Sequence, residues 1–235
     1  MKGVILCGGA GTRLRPATYV VNKHLVPIGN YPMVLFPLNT IKSLGVNNIL
    51  IITGGENIGD FAEFLGDGSQ YGCNFTYKVQ TKAGGIAEAL GLAEDFVGID
   101  NVMVILGDNI FGDLRSRADE ILCPSIFVKA VNDAHRFGVF MDGKIIEKPK
   151  GVNEGEVVVG LYVYPPSVFK FIRTLKPSLR GELEITDVNN HFLEQNNVRV
   201  FRLNDIFWSD CGTPKSLANT TRHFLDNPDT IRPLV

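Results

Sequence analysis

The first sixteen residues, Met1–Pro16, read MKGVILCGGAGTRLRP and join a short apolar run to a glycine-rich, basic turn. The apolar run Gly3–Cys7 ends at turn residues, which predicts a buried strand. Three glycines then follow within four residues, and such a turn can present backbone N–H groups to an anionic oxygen. Arg13 adds a charged donor suited to phosphate. The stretch therefore predicts a strand that leads into a phosphate-binding turn.

The turn matches neither of the two best-known phosphate loops. Leu14 stands where the dinucleotide fingerprint GxGxxG needs its third glycine, and the pattern GxxxxGK[ST] is absent as well. A tight strand-to-helix connection would also use glycines, because glycine adopts positive φ without strain. The turn by itself leaves the reaction open.

Apolar runs alternate with helix-like segments over the first 110 residues or so, which predicts a doubly wound α/β sheet. The predicted strands are Gly3–Cys7, Asn48–Thr53, Phe75–Gln80, Val102–Leu106 and Ser125–Val131. The predicted helices are Pro32–Leu44, Asn57–Leu65 and Gly84–Phe96. Pro37 lies inside the first of these helices and is expected to cost it a hydrogen bond and to kink it.

The second half of the sequence is organised differently. Asp142-Gly143 between two apolar runs is a strong hairpin signal, with strands Gly138–Met141 and Lys144–Glu147. Further strands are predicted at Glu156–Tyr164 and Val198–Leu203. Further helices are predicted at Pro166–Thr174, Ile185–Gln195 and Pro214–Leu225. No Gly/Ser-rich or Pro-rich linker separates the halves. We therefore expect one domain over 1–235 with a mixed, mostly parallel sheet, a nucleotide-binding half over about 1–125 and a second half over about 126–235.

Composition narrows the class of protein. The 235 residues are 45% hydrophobic and 20% charged, with a formal net charge of −2, which is typical of a globular protein with a substantial core. The near-balance of charge argues against a general nucleic-acid binder. No apolar stretch is long enough to span a bilayer, and no signal peptide is evident. The four cysteines form no CxxC pair, so we expect reduced thiols in a cytoplasmic protein.

Two aspartates are candidate ligands for a hard cation. Asp108 in ILGDNIF follows an apolar strand, at the edge where doubly wound sheets place their ligands. Asp210 in WSDCGTP lies in another strand-to-turn junction. Two carboxylates suit Mg²⁺, although either aspartate alone could equally serve turn geometry. Lys23 lies ten residues after Arg13 and could bind the same anion. His24 is expected to pack or to make a local hydrogen bond.

Three further polar residues stand at predicted strand ends. Glu147 and Lys148 end a strand, and both could reach one ligand only where the strand bends, which Pro149 makes plausible. Gln80 offers a donor and acceptors that could read the imide edge of a pyrimidine. The alternative for each is an ordinary exposed strand end.

The order of these motifs resembles the sugar-1-phosphate nucleotidylyltransferases, and among them the glucose-1-phosphate thymidylyltransferases. The resemblance starts with GGAGTRLRP and NKHLVPIGNYPM and continues, in order, through VQTKAGGIAEAL, ILGDNIF, FGV, IIEKP, GLYVY, LRGELEITDVN and WSDCGTP. It covers Met1 to about Leu225. It implies transfer of a thymidylyl group from dTTP to α-D-glucose 1-phosphate, with Mg²⁺ as cofactor, for nucleotide-sugar and surface-polysaccharide synthesis of the dTDP-rhamnose type.

The resemblance also assigns residues. It implies a catalytic role for Arg13, Lys23 and Lys148 and a magnesium site at Asp108 and Asp210. It implies that the nucleotide is bound by Leu6, Gly8, Gly9, Gly11, Thr12, Arg13, Gln80, Gly85 and Asp108. It implies that the sugar phosphate is bound by Asn109, Gly138, Glu147, Lys148, Val158 and Arg180. Phe137 and Ala83 depart from the family, which commonly has tyrosine and proline there.

Several alternatives stay open on the residues alone. UTP could replace dTTP, since uracil has the same imide edge, and a different hexose 1-phosphate could be the acceptor. A non-catalytic sugar-nucleotide sensor would keep the fold without needing the aspartate pair, and a dinucleotide oxidoreductase is disfavoured by the missing glycine. We also expect a homo-oligomer, although the sequence itself does not reveal assembly, and weak or absent feedback inhibition, because the chain stops soon after its last predicted helix.

Overall fold

The chain folds into a mixed β-sheet with helices on both faces, described for residues 1–121 and 123–235 in a computed structural model. The described strands are β1 (Lys2–Cys7), β2 (Pro27–Ile28), β3 (Tyr31–Pro32), β4 (Asn48–Gly54), β5 (Asn74–Gln80), β6 (Val102–Leu106), β7 (Asn109–Phe111), β8 (Ser125–Val131), β9 (Gly138–Met141), β10 (Lys144–Glu147), β11 (Gly155–Tyr164), β12 (Arg199–Arg202) and β13 (Trp208–Asp210). The described α-helices are α1 (Leu35–Ser43), α2 (Ile58–Leu65), α3 (Ile86–Gly91), α4 (Glu94–Val97), α5 (Ala118–Ile121), α6 (Ser167–Ile172), α7 (Ile185–Glu194) and α8 (Pro214–Asp226).

The first half of the chain builds the parallel part of the sheet, in the order β6-β1-β4-β5. β1 lies between β6 and β4, and its residues from Gly3 to Cys7 are buried. A strand covered on both faces has to be apolar along its whole length, which explains the unbroken run VILC. The carboxyl ends of these parallel strands share one edge, so β1 delivers the glycine turn to the same edge as Asp108 and Gln80.

The second half extends the sheet mainly with antiparallel strands. β11 pairs with β6, β8 and β9, and β10 completes the predicted hairpin with β9. The pairing of β11 with β8 shifts register between Val158 and Tyr162. β12 adds a parallel pairing to β8. The predicted α/β class, with a mixed sheet built around a parallel group of strands, is confirmed.

Side chains of β1 alternate between two hydrophobic layers. Ile5 and Cys7 pack on the layer that contains α1 and α2, whereas Val4 and Leu6 pack on the layer that contains α3, α6 and α7. Since successive side chains of a strand point to opposite faces, the sheet forms the middle of three layers.

The helix boundaries correct two predictions. The segment Gly84–Phe96, predicted as one helix, is divided into α3 and α4. The first helix starts at Leu35, later than predicted, and Pro37 lies in its first turn. The first four N–H groups of a helix have no partner within it, so the missing N–H of Pro37 costs no helical hydrogen bond there.

Sequence patterns missed several short elements, namely β2, β3, β7, β13 and α5. Each is two to four residues long. β7 and β13 exist because they pair with each other across about 100 residues of chain, and no local pattern encodes such a pairing. Among the described residues, no helix is both long and apolar enough to cross a membrane.

Candidate active site

The glycine turn after β1 wraps over Lys23. Gly9 and Gly11 have φ values of 97° and 58°, which strain any residue with a side chain. The Thr18 hydroxyl donates to the Gly11 carbonyl at 2.8 Å. A Cβ on Gly11 would stand 3.0 Å from Cβ of Lys23, so the backbone closes on the lysine stem. The predicted turn is therefore packed against the lysine that the sequence placed near it.

Lys23 forms a largely buried ion pair with Asp108, which follows β6. Its Nζ lies 2.6 Å from Oδ2 of Asp108, and the Asn109 side chain donates to Oδ1 at 3.0 Å. Burial by itself would raise the pKa of Asp108, but the charge of Lys23 and these hydrogen bonds hold it well below its usual range. Asp108 is thus an ionised carboxylate whose negative charge is already balanced by Lys23.

Asp210 reaches the same site from β13. Its backbone lies opposite Asn109 in the β7–β13 pairing, and the Cys211 N–H donates to the Asp108 carbonyl at 2.8 Å. Arg136 Nη2 contacts its Oδ2 at 3.3 Å and the Gly212 N–H donates to Oδ1 at 2.9 Å. Burial, and then the charge of Asp108, raise the pKa of Asp210. The two predicted metal ligands are brought together by a strand pair that the sequence did not reveal.

A buried histidine, His24, follows Lys23 in the chain. His24 donates its backbone N–H to Oδ1 of Asn22 at 2.9 Å, and its Nδ1 lies 2.8 Å from the same oxygen. Burial, followed by the charge of Lys23, lowers the pKa of His24 to about 3, so the ring is neutral. The expected local hydrogen bond of His24 is confirmed.

A cavity of about 330 Å³ opens beside the two aspartates. That volume is within the range of small-ligand pockets. The predicted residues that line it are Arg13, Asp108, Asn109, Gly138, Glu147, Lys148, Val158, Arg180 and Asp210. All six residues predicted for the sugar phosphate therefore meet in one cavity.

Glu147 is held from several sides within this cavity. The Thr186 hydroxyl donates to its Oε2 at 2.6 Å, and Arg180 Nη2 and Lys148 Nζ lie 3.2 and 3.3 Å from its Oε1. Lys148 has a φ of 45°, so the chain turns away from strand geometry directly after Glu147. The sequence required a bend at this point for both side chains to reach one ligand. The bend is confirmed, and both residues line the cavity.

Arg180 has a second carboxylate partner that the sequence analysis missed. Its Nη2 lies 2.7 Å from Oε2 of Glu184, which also accepts from the Ser178 hydroxyl at 2.6 Å on Oε1. Glu184 lies four residues after Arg180, within the quoted segment LRGELE, so proximity in sequence was the available signal.

Aromatic and amide groups complete the wall of the cavity. Trp208 Nε1 and the Gly160 N–H both donate to Oδ1 of Asn109, at 2.8 and 3.0 Å. The Phe137 ring packs against Trp208 with centroids 5.6 Å apart. Asn189 is buried, accepts from the Tyr164 hydroxyl, and its Nδ2 has no hydrogen-bond partner among the described residues. Trp208 and Asn189 lie in motifs that the sequence analysis quoted without giving them a role.

A second cavity, of about 440 Å³, is lined in part by the glycine turn. It is lined by the turn, by the ends of β4 and β5 and by the loop after β5, namely Gly8, Gly9, Ala10, Asn22, Gly54, Gly55, Glu56, Asn57, Val79, Gln80, Thr81, Lys82 and Ala83. Gln80, predicted to read the base, therefore lines a cavity together with four glycines, Gly8, Gly9, Gly54 and Gly55.

Four predicted nucleotide residues line neither cavity: Leu6, Gly11, Thr12 and Gly85. The Leu6 side chain packs in the core, and its carbonyl accepts from the Gly107 N–H at 2.9 Å. A Cβ on Gly85 would stand 2.5 Å from the Leu183 carbonyl oxygen, so this glycine serves a close packing of the α3 start against the segment before α7.

The donor set near the aspartates is small. Within residues 1–121 and 123–235, no group of three or more histidine, cysteine, aspartate or glutamate side chains is arranged to hold a metal ion. Two carboxylates without a third protein ligand fit Mg²⁺, which keeps several waters and shares substrate phosphate oxygens.

Comparison with known proteins agrees with this geometry. Residues 2–227 match the family described as nucleotidyl transferase. The glucose-1-phosphate thymidylyltransferase of Neisseria meningitidis serogroup A is 41% identical over 230 residues, which are 92% of this chain and 80% of the relative. The protein of that name from Mycobacterium tuberculosis is 37% identical, over 100% of this chain and 83% of the relative.

Solved structures share the fold. A Bacillus anthracis protein assigned as a glucose-1-phosphate thymidylyltransferase and crystallised with sucrose superposes with a TM-score of 0.87 at 46% identity, covering 94% of each chain. A UDP-glucose pyrophosphorylase in complex with UDP-glucose has a TM-score of 0.82 at 20% identity, covering 96% of this chain and 98% of the other, and supports the fold alone. On the match over residues 2–227 and these relatives, the chain belongs to the nucleotidyl transferase family.

Proposed function

We propose that this enzyme transfers the thymidylyl group of dTTP to α-D-glucose 1-phosphate and releases pyrophosphate. The observation that carries the proposal is the meeting of Asp108 and Asp210 in the wall of the 330 Å³ cavity, which Glu147, Lys148 and Arg180 also line. The 440 Å³ cavity is lined by the glycine turn and Gln80. The names of the relatives supply the identity of the two substrates.

The chemistry needs no covalent intermediate with the protein. A phosphate oxygen of the sugar phosphate attacks the α-phosphorus, the bond to the β-phosphate oxygen breaks, and pyrophosphate departs with the electron pair. Catalysis then depends on in-line placement and on cations around the charge that develops. Arg13, Lys23 and Lys148 are proposed for that role, with Arg13 on the side of the departing pyrophosphate.

Asp108 and Asp210 are proposed to hold Mg²⁺, which when bound would supply positive charge at the α-phosphate. The raised pKa of Asp210 supports the proposal, because a second carboxylate beside Asp108 is disfavoured until positive charge joins them. Lys23 remains with Asp108 and keeps one carboxylate ionised and oriented. Arg136 does the same for Asp210 at longer range.

The sugar phosphate is proposed to bind between β9, β10 and the segment before α7. Glu147 would accept from sugar hydroxyls with its free lone pairs, while Lys148 and Arg180 would contact the phosphate. Gly138 adds no side chain to this surface, where a Cβ would stand 3.4 Å from Oε2 of Glu147.

A cytoplasmic location and a homo-oligomer remain predictions, to be tested by cell fractionation and by light scattering.

A pyrophosphate-release assay that crosses dTTP, UTP, CTP and GTP with several hexose 1-phosphates tests the proposal. We expect the highest kcat/KM for dTTP with glucose 1-phosphate. UTP should follow within about 200-fold, since one methyl group is worth roughly 1–3 kcal/mol. A higher kcat/KM with any other nucleotide or sugar would redirect the proposal, and binding of dTDP-glucose without turnover would point to a sensor.

A further inference from the structure

The amide of Gln80 is held in one orientation by a neighbour outside the predicted site. Gln80 is the last residue of β5, and its Nε2 donates to Oε2 of Glu88 on α3. The same nitrogen makes a long contact of 3.4 Å to the Gly85 carbonyl. A carboxylate only accepts hydrogen bonds, so it selects the amide rotamer that turns the NH₂ group toward it.

The amide oxygen consequently faces the glycine turn. A Cβ built on Gly8 would stand 2.6 Å from Oε1 of Gln80, which places this oxygen against the backbone of the first glycine. Gly8 and Gln80 both line the 440 Å³ cavity. The side chain therefore presents an acceptor to that cavity, with one weakly held N–H beside it.

Glu88 is itself fixed by packing. A Cβ on Gly84 would stand 2.9 Å from Cγ of Glu88 and 3.2 Å from its Cβ, so the glutamate stem lies directly on the Gly84 backbone. Glu88 is half-buried in the first turn of α3. Its carboxylate is thus held beside Gln80 by the helix start.

We propose that Glu88 is a positioning residue that selects the nucleotide base through Gln80. By holding the amide oxygen toward the cavity, it favours a base with a ring N–H at its pairing edge, such as thymine or uracil. It disfavours cytosine, whose ring nitrogen at that position is an acceptor and would face another acceptor. This inference rests on the proposed use of a nucleoside triphosphate at this cavity.

Equilibrium binding of dTTP and CTP in the presence of Mg²⁺ tests the role directly. The wild-type protein should bind dTTP more tightly. Glu88→Gln should lower the ratio of the two affinities by about tenfold, because an amide at 88 can donate as well as accept and so lets Gln80 turn over. Glu88→Met, which removes the acceptor at similar length, should lower the ratio as well. Glu63→Gln on α2, where Glu63 is exposed, is the matched control and should keep the wild-type ratio.

The ratio of two affinities cancels any change in the fraction of folded protein, so a merely structural role of Glu88 would leave it unchanged. An unchanged ratio in both Glu88 variants, or tighter binding of CTP than of dTTP by the wild-type protein, would overturn the inference. A separate assay of dTDP-glucose formation distinguishes the two levels. No product together with a shifted ratio would refute the proposed function and support the role of Glu88.

Discussion

Asp108, in the turn between β6 and β7, and Asp210, at the end of β13, belong to the same site, yet their two carboxylates have opposite environments. Asp108 is paired with Lys23 at 2.6 Å and its pKa is held well below the usual range. Asp210 has the longer contact to Arg136, at 3.3 Å, and its pKa is raised by burial and by Asp108. Folding favours the ionised form of Asp108, whereas it disfavours the ionised form of Asp210.

The difference indicates a division of labour. A charge that the fold already neutralises keeps a fixed position, and here it orients Lys23 as well. A charge that the fold leaves partly uncompensated gains most from a cation or from a substrate with bound cation. We therefore expect the two aspartates to be equally needed for turnover but to have opposite effects on stability.

The largest expected effect is on turnover. Asp108→Asn and Asp210→Asn should each lower kcat by about a thousandfold or more, because each removes a proposed magnesium ligand and a charge at the reacting phosphate. Pyrophosphate release at saturating dTTP and glucose 1-phosphate measures this. Asp142→Asn makes the same substitution in the exposed turn between β9 and β10, where φ is 50° and asparagine is well tolerated. That control should retain wild-type kcat, and near wild-type kcat in either site variant would contradict the metal assignment.

Stability should separate the two variants. Asp108→Asn leaves Lys23 buried without its partner and should lower the free energy of unfolding by about 3 kcal/mol or more. Asp210→Asn removes a carboxyl group whose pKa is raised, which means that its ionised form is disfavoured in the folded protein. At neutral pH and without substrates, this substitution should therefore raise the free energy of unfolding by about 1 kcal/mol. Urea unfolding at pH 7 measures both.

A double variant sharpens this contrast. Lys23→Met with Asp108→Asn removes the orphaned charge as well, and it should recover part of the stability that Asp108→Asn loses. Changes of the same sign in the two single variants would mean that Asp108 and Asp210 experience the same environment, against the contacts described above.

The sequence predicted Asp108 and Asp210 but not the difference between them. Each aspartate follows a short apolar segment, which local pattern reveals. Their environments depend on the β7–β13 pairing and on Arg136, which precedes a quoted motif without belonging to it. Local periodicity carries no information on a pairing between strands about 100 residues apart.

The same limit explains other outcomes along the chain. The buried strand β1 was readable because an unbroken apolar run is typical of a parallel strand covered on both faces. The break between α3 and α4 was not, since the pattern of apolar residues continues across it. Glu88 was quoted within VQTKAGGIAEAL, but only folding shows its carboxylate beside Gln80.

After the effects on turnover and stability at pH 7, the next largest expected effect is a pH dependence of the free energy of unfolding, caused by His24 on the Asp108 side of the site. His24 is neutral in the folded protein because burial and Lys23 lower its pKa to about 3. The unfolded chain takes up a proton on this residue below about pH 6.5, so stability should fall as the pH falls, by up to about 1.4 kcal/mol per pH unit. Urea unfolding between pH 7 and pH 5 measures the slope.

His24→Gln should flatten this dependence, since glutamine does not titrate. His135→Gln, at an exposed position, is the matched control and should retain the wild-type slope. An equally steep slope in His24→Gln would show that other groups cause the loss of stability in acid.

The smallest expected effect tests whether Glu147 resembles Asp108 in being held by its neighbours. Thr186 donates to its Oε2 at 2.6 Å, and valine has the same shape without the hydroxyl. Thr186→Val should raise the KM for glucose 1-phosphate about fivefold, the worth of roughly 1 kcal/mol for one hydrogen bond, and leave the KM for dTTP unchanged. Thr186→Ser restores the hydroxyl and should restore the KM. If valine left the KM for the sugar phosphate unchanged, Arg180 and Lys148 alone would suffice to hold Glu147, and its position would depend on charge rather than on the hydroxyl of α7.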